Sequence, residues 1–539
     1  MLKISRELTR RKVVKIKSGL LKVIILVLLV TGITALAAAQ ESSPQEISLG
    51  LEEAILRALK QNLNLVAEVY STELASQSVS KAKEIYYPQL EFSYGADRNE
   101  QPSTWWIQSA GLYTTKTKSY QGIVSQNIPL GGKLSINLSN FDYNTNQRGQ
   151  LFNPYYQTEL SFNVQQPLLK NFGPKIAKKE IIIARQNYSI SEAQLKSQVL
   201  DTIYRVEDAY WNLVLAQENL KVRQQSLQLA RDELAKTSKE IEVGQQAAIE
   251  ILNVQATVSQ READIVQAEA DVRIAENRLK VVLNLASGQE LQSVKINLMD
   301  KPEFKPVKIS LEEAAQIALA NRPDLQVNNL TIDNKRFNLE VARNQLLPQL
   351  DLNFSYRSPG ISGDYLLYQD NNPFGGIVIG KIPGSSWNSF KDAMKFLYNN
   401  WSLNFTLTIP VADLVSRSNY AVAQTELSQS LAKQKAQEQQ ALLEVSEAVN
   451  NIATYAKSVE AYRVAREFAE KNLEAENRKL AVGLSSNYFV LEAQDRLATA
   501  RVNELRALVN YNLALANLEK VLGTSLVNRN INLAQVGQK

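Results

Sequence analysis

Two periodicities alternate along this chain, and the places where they change are informative. From Leu51 to Tyr87 apolar residues recur at helical spacing over about 37 residues. At "YPQLEFSY" (Tyr87–Tyr94) the pattern switches to alternation, with Leu90, Phe92 and Tyr94 apolar. The same switch occurs at "LPQLDLNF" (Leu347–Phe354), where Leu350, Leu352 and Phe354 follow a helical run from Leu311 to Leu347. Proline ends a helical pattern and pushes its predecessor into extended backbone, so Pro88 and Pro348 mark two exits from helix into strand.

The two exits belong to an internal duplication. "LEEAILRALKQNLNL" (Leu51–Leu65) parallels "LEEAAQIALANRPDL" (Leu311–Leu325) at an offset of 260, which also aligns Pro88 with Pro348. "VGQQAAIEILNVQ" (Val243–Gln255) parallels "VGLSSNYFVLEAQ" (Val482–Gln494) at an offset of 239, so the second copy has lost residues, mostly between its strands. Each copy reads helix, strand, polar loop, strand, long helix, Val-Gly turn and returning helix. The second strand of each copy ends at Pro167 or Pro410.

The long helices are expected over roughly Lys170–Ile241 and Val411–Leu480, the returning ones over Ala247–Leu285 and Ser485–Leu522. At about 1.5 Å per residue, a helix of about 70 residues is roughly 105 Å long. The two shorter helices of each copy together nearly match that length, which predicts rods laid side by side. Val206, Leu213, Leu220, Leu227 and Leu234 recur every seven residues, as do Val445, Ile452, Val459, Leu473 and Leu480 with Arg466 interrupting. On the first returning helix Leu252, Ala256, Ser259, Ala263, Val266 and Ala270 follow a 4-3-4-3-4 spacing. These stripes predict coiled-coil packing and are expected to be core.

The strands alternate strictly. In "WSLNFTLTI" (Trp401–Ile409) the odd-numbered residues are apolar and the even-numbered polar, and Leu160, Phe162 and Val164 alternate with Ser161, Asn163 and Gln165. Strands are expected at about 88–98, 158–167, 348–357 and 400–410. About ten alternating residues suit an outer-membrane barrel, apolar side to lipid. Four strands cannot close a barrel, and strand edges are costly in lipid, so several chains must share one wall. A further hairpin over Tyr120–Phe141, turning at "PLGGK" (Pro129–Lys133), alternates as well. The pattern leaves open whether it joins the wall. Aromatic, turn-rich loops at Gln101–Gln108 and Asn371–Trp387 fall opposite the helices, on the expected extracellular side.

Composition removes several alternatives. The first 39 residues carry eight Lys/Arg and one acid, then the apolar run "VIILVLLV" (Val23–Val30) and small residues at Ala35–Ala39, which reads as a secretory signal peptide. Setting it aside takes the net charge from +5 to −2, so the basicity belongs to export and not to a nucleic-acid surface. The chain has no histidine and no cysteine. That excludes Ser-His and Cys-His nucleophile pairs, zinc sites with those ligands, disulfides and thiol redox chemistry. No catalytic constellation is legible, and no cofactor or metal is called for.

The duplicated plan, "QQPLLKNFG" (Gln165–Gly173) after a strand, and the paired Val-Gly turns resemble the TolC-like outer-membrane efflux proteins, over about Ile47–Leu526. The resemblance implies an α+β membrane protein: a trimeric β-barrel of twelve strands continued by a long periplasmic α-helical coiled-coil tunnel, built from two internal repeats per chain. The organisation it implies is a signal peptide (1–39), repeat 1 (47–286), an equatorial connection (287–308), repeat 2 (309–523) and a C-terminal tail (524–539). The implied partners are a periplasmic adaptor and an inner-membrane transporter, at the cell outer membrane.

The resemblance also implies site residues. The turns Val243-Gly244 and Val482-Gly483-Leu484 would be the far periplasmic tips, where the family docks its adaptor and constricts its channel. Some members carry acidic residues six and nine positions after the second-copy glycine; here those positions are Phe489 and Glu492, while Glu250 stands six after the first-copy glycine. Three copies would ring the axis with Glu492, and Phe489 departs from a doubled acidic ring. Pro88, Pro167, Pro348 and Pro410 would mark passage between tunnel and barrel. The expected function is a passive exit duct for efflux or type I secretion. An exported coiled-coil scaffold is the alternative; it accounts for the rods but not for the alternating strands.

Overall fold

The computed structural model describes residues 45–104, 111–244, 247–285 and 294–532. The signal peptide lies outside the described residues, as do parts of the expected connection and tail. In chain order come β1 (Gln45–Leu49), α1 (Leu51–Gln61), α2 (Leu63–Lys83), β2 (Gln89–Pro102), β3 (Leu112–Asn127), β4 (Lys133–Thr145) and β5 (Phe152–Pro167). The long helix α3 (Lys179–Glu242) and the returning helix α4 (Glu250–Val282) follow, then β6 (Val294–Leu298). The order resumes with α5 (Leu311–Asn321), α6 (Pro323–Gln345), β7 (Gln349–Tyr368), β8 (Val378–Ile382), α7 (Ser386–Met394) and β9 (Asn400–Thr408). It continues with α8 (Leu414–Ala481) and α9 (Asn487–Leu522), and a single helical turn, Ser525–Asn528, follows. Among the described residues no helix is long and apolar enough to cross a membrane.

The first helix of each copy, expected to be continuous, is broken after eleven residues. Arg322 precedes Pro323 and takes ψ 122°, the extended backbone that a following proline favours. Asn62 takes ψ 121°, and its side-chain Nδ2 donates to the Val282 carbonyl at 2.9 Å. Apolar periodicity runs through both breaks, which is why the pattern alone reads as one helix.

The chain forms two compact units. Of the described residues, one comprises those within 45–62, 205–305 and 457–513. Within it β1 and β6 pair in parallel, Gln45 opposite Val294. Tyr210, fully buried, donates to the Leu49 carbonyl at 3.1 Å and bonds Asp300 Oδ2 at 2.8 Å, while Asp300 also accepts from Leu51 N–H. Burial first, and then Asp300, push the Tyr210 phenol well above its ordinary value, so it remains a neutral donor. Arg466, which interrupts the seven-residue stripe, pairs with Glu504 on α9 at 2.6 Å.

Of the first heptad stripe, Val206, Leu213 and Leu227 are buried as expected, while Leu220 and Leu234 are half-buried. The stripe on α4 is different. Leu252 and Val266 are exposed in one chain, and the buried Val254, Arg261, Ala268 and Ala275 form a seven-residue row two positions along, with Leu279 and Lys280 buried beyond it. A four-three spacing of apolar and small residues exists on both faces of α4, and the chain covers only one of them.

The second unit comprises the described residues within 63–204, 306–456 and 514–532. Its helices bury Val199, Ile203, Ile332, Val445 and Ile452. Arg322 is pinned to Asp324 at 2.8 Å and to Glu444 of α8 at 2.7 Å. Burial alone would raise the Asp324 carboxyl, but the hydrogen bond and charge of Arg322 outweigh it and hold it below its usual 3.8. A depressed carboxyl stabilises the fold above its unfolded value, and that contribution is lost as pH falls through the folded one. Thermal unfolding followed between about pH 7 and about pH 3 should therefore show acid destabilisation that is blunted in Asp324→Asn. An unchanged acid slope in that variant would remove this network from the account.

The sheet of this unit is antiparallel, in the order β2-β3-β4-β5-β7, with β9 and the short β8 both on the far edge of β7. The hairpin left open by the sequence pattern is therefore part of the sheet, as β3 and β4. Alternation gives it one apolar and one polar face. The helix α7 lies on the apolar face: Ser389 Oγ meets Thr158 Oγ1 at 2.8 Å, and Ser358 Oγ donates to the Ala393 carbonyl at 2.7 Å. Thr158 and Ser358 share that face with Leu160, Phe162 and Tyr356 by strand alternation.

Candidate functional site

The residues expected at the tips sit in two helix-to-helix turns of the first unit. At the end of α8 the Gly483 N–H bonds the Leu480 carbonyl at 3.0 Å and the Leu484 N–H bonds the Lys479 carbonyl at 2.9 Å. These are the 5→2 and 6→1 bonds that stop a helix at a left-handed residue, and Gly483 has φ +74°. At the end of α3 the Gly244 N–H bonds Ile241 at 2.9 Å, with φ +75°. Nothing lies within 4 Å of a Cβ built on either glycine, so backbone conformation and not space selects glycine here.

Each turn projects apolar side chains into solvent. Val243 and Val482 are 69% exposed and Leu484 79%. Beside the second turn Ser485 Oγ donates to Glu476 Oε2 at 2.8 Å. Lys479 first, then Ser485, hold the Glu476 carboxyl below its ordinary value. Asn487, at the start of α9, donates from Nδ2 to Thr237 Oγ1 of α3 at 3.0 Å, both groups buried, which ties the second turn to the helix leading into the first.

Beyond the second turn Phe489 and Glu492 lie on one face of α9 while Val490, Leu491 and Ala493 are buried. Phe489 is half exposed and stands edge-on to Tyr488, ring centroids 5.5 Å apart. Glu492 is not a lone carboxylate: its Oε1 accepts from Arg496 Nη2 at 2.6 Å, one helical turn on. Glu250 opens the first turn of α4, its N–H bonded to the Ala247 carbonyl at 3.0 Å. Sequence reasoning missed Arg496, although the i, i+4 Glu-Arg spacing was legible. It also missed Arg261, which is buried and donates to the Ser226 carbonyl at 2.6 Å and toward the Leu491 carbonyl at 3.4 Å. Burial lowers its pKa, opposed by Asp495 and Asp264. Nothing in a single sequence distinguishes that arginine from a solvated one.

The four prolines stand at helix–strand junctions of the second unit. Pro88 and Pro348 immediately precede β2 and β7, Pro167 closes β5 opposite Asp351, and Pro410 follows β9 by two residues. The Leu168 N–H bonds the Leu350 carbonyl at 2.7 Å, so the junctions at Pro167 and Pro348 adjoin. Among the described residues no cluster of acidic side chains could hold a metal ion.

The chain is similar to known proteins in both sequence and fold. The family model described as outer membrane efflux protein matches residues 132–285 and 314–524. The chain is 25% identical over 370 residues to the outer membrane protein TolC of Vibrio cholerae, covering 66% of this chain and 76% of that protein. It is 22% identical over 340 residues to the alkaline protease secretion protein AprF of Pseudomonas aeruginosa, covering 62% of this chain and 64% of that one. Among solved structures, the CmeC outer membrane channel of Campylobacter jejuni superposes with a TM-score of 0.62 at 16% identity, over 91% of this chain and 90% of that chain.

Proposed function

The chain belongs to the outer membrane efflux protein family, whose members are outer-membrane channels of efflux and secretion systems, and from that premise we propose that three copies form one passive exit duct. The protein resides in the outer membrane, its helical tunnel extending into the periplasm. The two internal repeats supply the strands of a shared β-barrel and the rods of a coiled-coil tunnel, joined at Pro88, Pro167, Pro348 and Pro410. The boundaries are those read from the repeat: 47–286 and 309–523, with 287–308 as the connection. We assign it no catalytic activity.

The observation that carries this reading is the surface left uncovered in one chain. The sheet's apolar face is covered by α7 over β5 and β7 but stays exposed at Leu90, Phe92 and Tyr94 of β2 and at Trp401, Leu403 and Phe405 of β9. Strands β2 and β9 each pair with a single neighbour among the described residues. The Leu252–Val266 stripe of α4, spaced for coiled-coil packing, is exposed as well. A second and third copy satisfy both the sheet edges and the helix face. A scaffold of rods has no use for a sheet with a lipid-facing side.

In this duct Val243, Gly244, Val482, Gly483 and Leu484 dock a periplasmic adaptor, and Phe489, Glu492 and Glu250 line the constriction. An inner-membrane transporter supplies energy and cargo specificity. Purified protein reconstituted in a planar bilayer should give discrete conductance steps, and native mass spectrometry should return a trimer. A stable monomer that inserts yet never conducts would remove the duct reading.

A further inference from the structure

We propose that each copy places six strands in the membrane wall, so that three copies close a barrel of eighteen strands and not of twelve. The inference rests on the trimeric duct proposed above and concerns how its wall is made.

Over the half nearest the helices, the β3–β4 hairpin has the pairing and the two faces of a wall segment. It is paired along its length, Gln89 opposite Ser125 through Pro102 opposite Leu112, then Asn127 opposite Lys133 and Lys133 opposite Gln165. The register lines up one apolar row across six strands: Leu90, Val124, Ile136, Phe162, Tyr356 and Trp401. A neighbouring row on the other face is polar throughout: Gln89, Ser125, Ser135, Asn163, Ser355 and Ser402. Both rows run through the hairpin without a break, as a continuous wall requires. Its turn is also held at the helix end of the sheet. Gln126 and Asn127 donate to the Tyr86 and Ile85 carbonyls at 3.2 and 2.9 Å, and the Leu130 carbonyl accepts from Gly173 N–H at 3.2 Å.

The stagger fits closure. The ladder that starts at Gln89, the first residue of β2, reaches β9 at Ser402, six residues before its end at Thr408. Six residues of stagger over six strands is the ratio that tilts barrel strands by about 36°, within the usual range of about 35–45°. Bringing Thr408 of one copy opposite Gln89 of the next sets Leu407 against Leu90 and Phe405 against Phe92, apolar face to apolar face. The pairing is antiparallel, and the stagger repeats identically in each copy. Because barrel diameter grows roughly in proportion to strand number, the lumen has about twice the cross-section of a twelve-stranded one. Such an exit imposes little size selection, which leaves filtering to the tips.

The chain has no cysteine, so introduced thiols are unambiguous. In trimers reconstituted in liposomes, Ile136→Cys and Val124→Cys should react at least about tenfold more slowly with a charged, membrane-impermeant maleimide than Asn137→Cys and Ser125→Cys. Val164→Cys and Asn163→Cys on β5 provide the lipid and lumen references. Phe92→Cys with Phe405→Cys, or the adjacent Glu91→Cys with Thr406→Cys, should crosslink neighbouring copies into a covalent trimer. Crosslinked trimers in which both faces of β3 and β4 label equally fast would overturn the eighteen-stranded wall and leave the duct intact. Absence of both trimer and crosslink would overturn the duct, and the wall with it.

Discussion

Gly483→Val is expected to abolish transport while the trimer still assembles. Gly483 holds φ +74° in the turn after α8, and a β-branched residue there is strained by about 1–3 kcal/mol. The open space around its would-be Cβ means that the strain cannot be blamed on a clash. The turn relieves it by leaving the left-handed region, which breaks the bonds from Gly483 and Leu484 to Leu480 and Lys479 and carries the exposed Val482 and Leu484 away from the position in which we propose that they dock the adaptor. Gly483→Asn, which tolerates that backbone region, should retain most transport. Leu484→Asp should lose docking with no strain at all. Gly244→Val should behave like Gly483→Val, since it carries φ +75° in the matching turn. Export assays with trimer yield measured in parallel test this. Normal export by Gly483→Val, or adaptor crosslinks that fall on Trp401–Ile409, would put docking elsewhere.

The elements that sequence resolved well were those with a single period. The alternation in Trp401–Ile409 leads directly to β9 and its face, and the seven-residue spacing leads to the buried Val206, Leu213 and Leu227 on α3. Chain reversals were legible because glycine at a helix end has one dominant physical reason. What sequence could not give was partnership. On α4 two rows of suitable residues compete, and only packing against α3 and α9 selects the row through Val254 and Arg261 as the inner one. The β3–β4 hairpin had the right alternation, but alternation does not say which strand lies alongside. That information sits in the register from Gln89 to Ser402.

The same limit applies to the proposed constriction, and it changes what substitution there should do. Read alone, Glu492 is one carboxylate per copy and three copies make an acidic ring. Paired to Arg496 at 2.6 Å, it contributes an ion pair whose far field largely cancels. Removing one partner therefore exposes the other. Glu492→Gln should leave three arginines facing the axis and shift selectivity toward anions. Arg496→Gln should leave three bare carboxylates, strengthening cation preference and block by multivalent cations from the periplasmic side. The double variant should return close to the parent. Unit charges about 4 Å apart interact by about 1 kcal/mol in bulk water and about 4 kcal/mol at an effective dielectric of about 20. A confined ring should thus move reversal potentials clearly, whereas solvated surface groups should barely move them. Phe489→Ala acts by another route, trimming an exposed ring at the mouth of α9, and should raise conductance with little change in selectivity. Single-channel recordings in which Glu492→Gln and Arg496→Gln shift selectivity in opposite directions place both residues at the pore. Unchanged reversal potentials in both would place this face of α9 away from the axis, and Phe489 with it.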